Sequence, residues 1–162
     1  MPGKSRRPDQ AQYFTIPGTM NRFLLLCCFC LPLRHLELTS GYGYRVHPVT
    51  GRFCFHSGID LRARHDTVFA VLPGRVVFTG YDAITGVHLR LTSDDFELLY
   101  GHLSRVFVLA GDSVEAGSPL GVTGISGRVT GEHLHFSVSY RQKPMNPLLF
   151  LKRLTNNLKQ IK

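Results

Sequence analysis

From about Leu36 onward, short runs of β-branched and aromatic residues alternate with polar ones and are divided by glycine and proline turns. Thr67 to Val71 leads into a Pro73-Gly74 turn, followed by Arg75 to Thr79. Tyr81 to Gly86 reads as a loop, and Val87 to Thr92 then sets Val87, Leu89 and Leu91 against polar neighbours at the strand period. Asp94-Asp95 opens the next turn, and Phe96 to Leu103 makes the following strand. Turns at Gly111-Asp112 and Ala116-Gly117 flank two residues of extended chain before Leu120 to Thr123. A glycine-rich loop, Gly124 to Gly131, runs into the last strong strand, His133 to Tyr140, and helical spacing appears only at Pro147 to Leu158. The pattern predicts an all-β domain, an antiparallel β-sheet with one short C-terminal helix and no internal repeats.

Ahead of this body, residues 1–19 are polar and basic without periodicity and are expected to form a disordered leader. Residues 20–35 carry the apolar run Phe23 to Leu33 behind Arg22. That run is shorter than the roughly 20 residues a membrane-spanning helix needs, and it fits the apolar centre of a secretory signal or anchor. Met20 as initiator makes the signal tidier; the competing reading is a buried first element of the folded domain. The expected boundaries are therefore a domain over 36–150 and a basic C-terminal tail over 151–162.

Composition adds little to fold but narrows the partners. In 162 residues, 43% hydrophobic and 19% charged is the balance of one folded domain. Sixteen glycines and nine prolines agree with a turn-rich β fold. A net charge of +8 favours an anionic partner, whether nucleic acid, membrane surface or acidic polymer. Cys27, Cys28 and Cys30 crowd one run and leave Cys54 alone, which makes neither a disulfide framework nor a thiolate metal site. Cys54, between Phe53 and Phe55, is expected to be a small core residue.

The chemistry lies in the placement of the histidines. His133 and His135 are two apart on a strand, so both imidazoles share one face while Leu134 and Phe136 point into the core. Two imidazoles on one face suit a metal site or a catalytic histidine pair. His56 and Asp60, separated by Ser57-Gly58-Ile59, bring a nitrogen and a carboxylate oxygen toward one point if the glycine lets the backbone turn. Two histidines and one carboxylate leave one tetrahedral position open, as a catalytic zinc requires. His102 follows Gly101 near the end of a strand. His88 alternates with core residues and is expected to face solvent, His47 belongs to a turn, and Glu132 is expected on the side opposite His133. Tyr42, Tyr44 and Tyr100 are either groove-lining or packing residues.

The ordered segments His56-Ser57-Gly58-Ile59-Asp60, Tyr100-Gly101-His102-Leu103 and Gly131-Glu132-His133-Leu134-His135-Phe136 resemble the M23 metallopeptidases, the LytM or lysostaphin-like domain. Thr39 to Gly51, Pro73-Gly74, Gly111-Asp112, Gly121 to Gly124 and Asn146-Pro147 resemble that family's supporting turns, so the likeness covers roughly residues 36–150. Arg64-His65-Asp66 departs from the smaller turn the family often has there. The resemblance implies one zinc ion per chain, held by His56, Asp60 and His135, with His102 and His133 facing the reacting carbonyl. It also implies peptidoglycan peptides as substrate, no nucleic-acid partner, and a periplasmic or extracellular, envelope-associated location. Membrane contact is expected only through the N-terminal segment, and a monomer is expected. The competing reading is a non-catalytic relative that binds the wall or activates another hydrolase.

Overall fold

The structure, a computed structural model, describes residues 29–46 and 51–159. The expected leader over 1–19, most of the apolar run and His47 lie outside the described residues. In chain order the strands are β1 (Leu38–Ser40), β2 (Gly43–Val46), β3 (Phe53–His56), β4 (Gly58–Arg62), β5 (Thr67–Phe69), β6 (Gly74–Asp82), β7 (Gly86–Ser93), β8 (Phe96–Val106), β9 (Ser113–Val114), β10 (Pro119–Thr123), β11 (His133–Tyr140) and β12 (Lys143–Met145), followed by helix α1 (Pro147–Lys159). Ten strands make one sheet with the path β1-β4-β11-β8-β7-β6-β9, β10 pairing with β5 and β8 and β12 with β11. The strand pairs are antiparallel, as the sequence pattern predicts. β2 and β3 form a separate two-stranded ribbon.

Alternation decides which face of each strand is buried. In β11, Leu134, Phe136 and Val138 are at most 1% exposed, while the residues between them keep partial access to solvent. They pack with Ile59 and Leu61 of β4, Leu89 and Leu91 of β7, and Leu98 and Tyr100 of β8. Burying each such side chain contributes about 1.5–3 kcal/mol, so this layer is what fixes strand register. The Tyr100 hydroxyl would be costly here without a partner; it accepts a hydrogen bond from the Val71 amide at 2.9 Å. That bond also explains why β5 stops at Phe69 although Thr67 to Val71 reads as one strand. The amides of Ala70 and Val71 turn to Ser118 O and Tyr100 Oη rather than to a ladder.

Packing continues past both expected domain boundaries. Leu33 is 2% exposed in the core, the Cys30 amide donates to Val71 O, and the Phe69 amide donates to Pro32 O. Residues 29–33 are therefore part of the packed domain, because Phe29, Leu31 and Leu33 have core surface to cover. At the other end, Asn146 Oδ1 caps α1 by accepting from the Leu148 amide at 3.0 Å, with Pro147 at the first helical position. Phe150 and Leu151 then dock into the core at 4% and 3% exposure, so the stretch from 151 begins as a docked helix rather than a tail. Among the described residues no helix is long and apolar enough to cross a membrane.

Candidate metal centre

Three strands converge on one point. Asp60 of β4 and His135 of β11 are direct cross-strand partners, and His56 at the end of β3 reaches the same place from the ribbon. His56 Nε2 lies 3.2 Å from His135 Nδ1 and 3.3 Å from Asp60 Oδ1, and His135 Nδ1 lies 2.9 Å from Asp60 Oδ1. A tetrahedral ion with bonds near 2.0 Å spaces its donor atoms about 3.3 Å apart, so the set fits a small divalent cation. The donors suit zinc, being two imidazoles and one carboxylate. His56 Nδ1–H is committed to Gly41 O at 2.8 Å, which leaves Nε2 as a lone pair facing the cluster. If Nδ1 of His135 also loses its proton, three lone-pair atoms crowd one point, and a cation between them relieves the repulsion.

Electrostatics favour the ligand forms. Burial opposes ionisation of Asp60, but hydrogen bonds and charge from His135 and His56 outweigh it and hold the carboxyl far below the usual range. Burial pushes the His135 pKa down, against the opposing pull of Asp60. Both shifts keep the carboxylate charged and the imidazole neutral, which a metal needs.

Gly58 has a different task from the one its place between His56 and Asp60 implies. It adopts no left-handed turn; instead, a Cβ there would lie 2.6 Å from His135 Cε1 and 2.7 Å from Phe136 O. The glycine makes room for the His135 ring. Gly101 similarly leaves space, since its Cβ would meet Thr85 Cγ2 at 2.6 Å.

His102 reaches the site through a backbone irregularity. Val87 pairs with Leu103 but Leu89 pairs with Tyr100, so β8 carries one extra residue at Gly101-His102. His102 has φ 61°, a conformation uncommon for a residue with a side chain. The bulge re-aims the ring into the cleft. Its amide donates to Thr85 O and its Nδ1–H to Ser126 O at 2.9 Å, leaving Nε2 unprotonated in the neutral ring. Burial pushes its pKa down to about 4, with His133 and His135 adding to the fall and the Ser126 carbonyl opposing it. His133 holds its ring by Nδ1–H to Gly131 O at 2.8 Å, and Nε2 comes within 3.6 Å of Asp60 Oδ1. The two rings stand edge to face, 4.6 Å between centroids.

The structure therefore gathers all five residues singled out in the sequence into one cleft, lined also by Arg45, Thr85, Arg128 and Thr130. Other expectations need correction. His88 is buried at 6%, not solvent-facing, because it stacks on Phe78 and donates to Gly86 O. Cys54 lines the cleft rather than the core, since the ribbon stands apart from the main sheet. Tyr100 is a packing residue and Tyr44 is 72% exposed. Glu132, as expected, points away from the reacting region: Thr123 Oγ1–H and the His65 amide donate to it, tying the 63–66 loop to the start of β11. Arg45 and Ser126 escaped the sequence reading. For Arg45 the available signal was strand alternation, which sets it opposite the exposed Tyr44 and Val46.

A family model described as Peptidase family M23 matches residues 54–147. The DD-carboxypeptidase/endopeptidase Mpg of Neisseria meningitidis is 35% identical over 119 residues, 72% of this chain and 27% of the relative. The chain thus spans about a quarter of the length of the curated relatives it matches. Among solved structures, a zinc-containing peptidase from Vibrio cholerae aligns with TM-score 0.69 and 31% identity, covering 74% of this chain and 39% of that one. The catalytic domain of the antimicrobial peptidase lysostaphin from Staphylococcus simulans aligns with TM-score 0.66 and 30% identity, covering 72% and 92%.

Proposed function

The chain belongs to peptidase family M23, and from that premise we propose that it is a zinc-dependent endopeptidase hydrolysing peptide bonds in the cross-links or stem peptides of peptidoglycan. The reading rests on one observation above others: His56 Nε2, Asp60 Oδ1 and His135 Nδ1 converge within hydrogen-bond distance of one another beside two further imidazoles. Relatives named as peptidoglycan DD-endopeptidases support the substrate class. Such a substrate places the protein in the periplasm or outside the cell.

His56, Asp60 and His135 would hold the ion, one per chain. Bound zinc supplies a Lewis acid for the scissile carbonyl and a water whose pKa falls to about 7. The protein's share of the work is positional. Gly41 O and Ser126 O fix the tautomers of His56 and His102, and Gly131 O fixes that of His133. His102 and His133 then stand side by side on the open side of the cluster. One neutral ring accepts the proton lost by the attacking water. The other, protonated, donates to the oxygen that gains charge and passes a proton to the leaving amine.

The test is zinc content and peptide release from purified peptidoglycan on one sample, with a chelated control. One zinc per chain and chelator-sensitive cleavage are expected. Folded protein that binds no zinc would overturn the reading, as would zinc-loaded protein that cuts no wall type.

A further inference from the structure

The cleft wall carries two arginines. Apart from Asp60, which the imidazoles and Arg45 surround, its charged lining residues are Arg45 and Arg128; the rest are neutral side chains such as Ser57, Thr85 and Thr130, and the site histidines. The two arginines come to the cleft from segments anchored on different flanks of the site strands. Arg45 on β2 reaches Asp60 of β4, with Nη2 3.4 Å from Oδ2. Arg128 is tied through its amide to Ile84 O, in the turn leading into β7. In the sheet path, β11 and β8, which carry His133, His135 and His102, lie between β4 and β7.

Neither guanidinium is used up by the fold. Arg45 has one contact to Asp60, while its Nε is buried without a hydrogen-bond partner among the described residues. The Arg45 side chain is nonetheless 25% exposed and lines the cleft, so it stays open to a ligand there. Arg128 is exposed at the cleft wall. Guanidinium groups recognise carboxylates through paired, charge-assisted hydrogen bonds, and a neutral glycine chain offers nothing equivalent.

We propose that Arg45 and Arg128 form a two-ended carboxylate clamp, selecting acidic peptides with free carboxylates on both sides of the scissile bond over neutral oligoglycine bridges. This deepens the peptidoglycan reading and rests on it for the identity of the substrate. Arg45 engages the carboxylate nearer Asp60, and Arg128 the one beyond His102. Amidation of those carboxylates removes the charge and one of the two acceptor oxygens of each, and so removes the preference.

The test is equilibrium binding, alongside cleavage, of three soluble probes to the zinc-loaded full chain. The probes are a cross-linked muropeptide dimer with free carboxylates, the same dimer amidated, and N-acetyl-pentaglycine amide. The free acid is expected to bind about tenfold or more tightly than either neutral probe, with the gap shrinking in high salt. Arg128→Ala and Arg45→Lys should each reduce the gap, Arg45→Lys because an ammonium lacks the planar fork. Equal binding of the acid and amide, or a gap unchanged in both variants, would overturn the clamp. Selective binding of the acid without cleavage would uphold the clamp while defeating the peptidase reading. Cleavage of all three probes with equal affinity would do the reverse.

Discussion

Gly58 and His135 compete for the same space: a Cβ on residue 58 would sit 2.6 Å from Cε1 and 2.7 Å from Nε2 of the imidazole. The ring is nearly buried on that side, and Phe136 O closes the other escape at 2.7 Å. Gly58→Ala is therefore expected to destabilise the fold by about 1–3 kcal/mol through overpacking. It should also displace His135 and weaken zinc binding at least tenfold. Urea unfolding and competitive zinc titration check the two effects. An alanine variant with unchanged stability and unchanged metal affinity would contradict the steric argument.

Ligand and proton-handling roles separate by substitution. Asp60→Ala and His135→Ala are expected to lose both metal and activity. His102→Ala is expected to retain zinc while turnover falls roughly 10²–10⁴-fold, since it removes a group that handles protons. Metal content and kcat measured on the same preparations distinguish these outcomes. Release of zinc by His102→Ala would show that the ligand set has been assigned wrongly.

The metal-free protein should lose stability as the solution is acidified from neutrality. His102 has a folded pKa of about 4, below the ordinary histidine value near 6.5, and His135 is shifted in the same direction. Between those values the unfolded chain binds protons that the folded chain does not, so stability is fully present above about pH 6.5 and falls toward pH 4. Asp60, whose carboxyl is depressed, adds a loss of the same sign at still lower pH. The urea midpoint of the chelated protein should be lower at pH 5 than at pH 7, and His102→Gln should flatten that dependence. An equal pH slope in the variant would remove His102 from the explanation.

Tyr100 ties the core to a chain turn by one hydrogen bond, accepting from the Val71 amide at 2.9 Å while fully buried. Tyr100→Phe leaves that amide without a partner in an apolar setting. A loss of about 1–3 kcal/mol is expected, with zinc content unaffected, because the hydroxyl lies away from the cleft. Thermal or urea unfolding beside metal analysis measures both.

Much of the architecture was legible because it depends on spacing along the chain. Residues two apart on a strand face the same way, so His133 and His135 had to share a face with Leu134 and Phe136 behind them. Glycine and proline turns marked the strand ends, and Asn146-Pro147 marked the start of the helix. The family motif implied which five residues to watch, and the fold brings all five into one cleft.

What sequence spacing left open are the relations between distant segments. The extra residue that turns His102 toward the cluster exists only as a mismatch of register between β7 and β8. The need for glycine at 58 arises from a ring carried on another strand. His88 is buried by Phe78 across a strand pair, and Leu33 by the core it covers. Arg45 meets Asp60 only because the β2–β3 ribbon folds back over the site. The sequence by itself determined the main strands from Thr67 to Tyr140, most of their buried faces and the candidate ligands, since backbone geometry repeats every two residues. Tertiary structure alone decided register, bulge and cleft lining, since those depend on which distant surfaces bury one another.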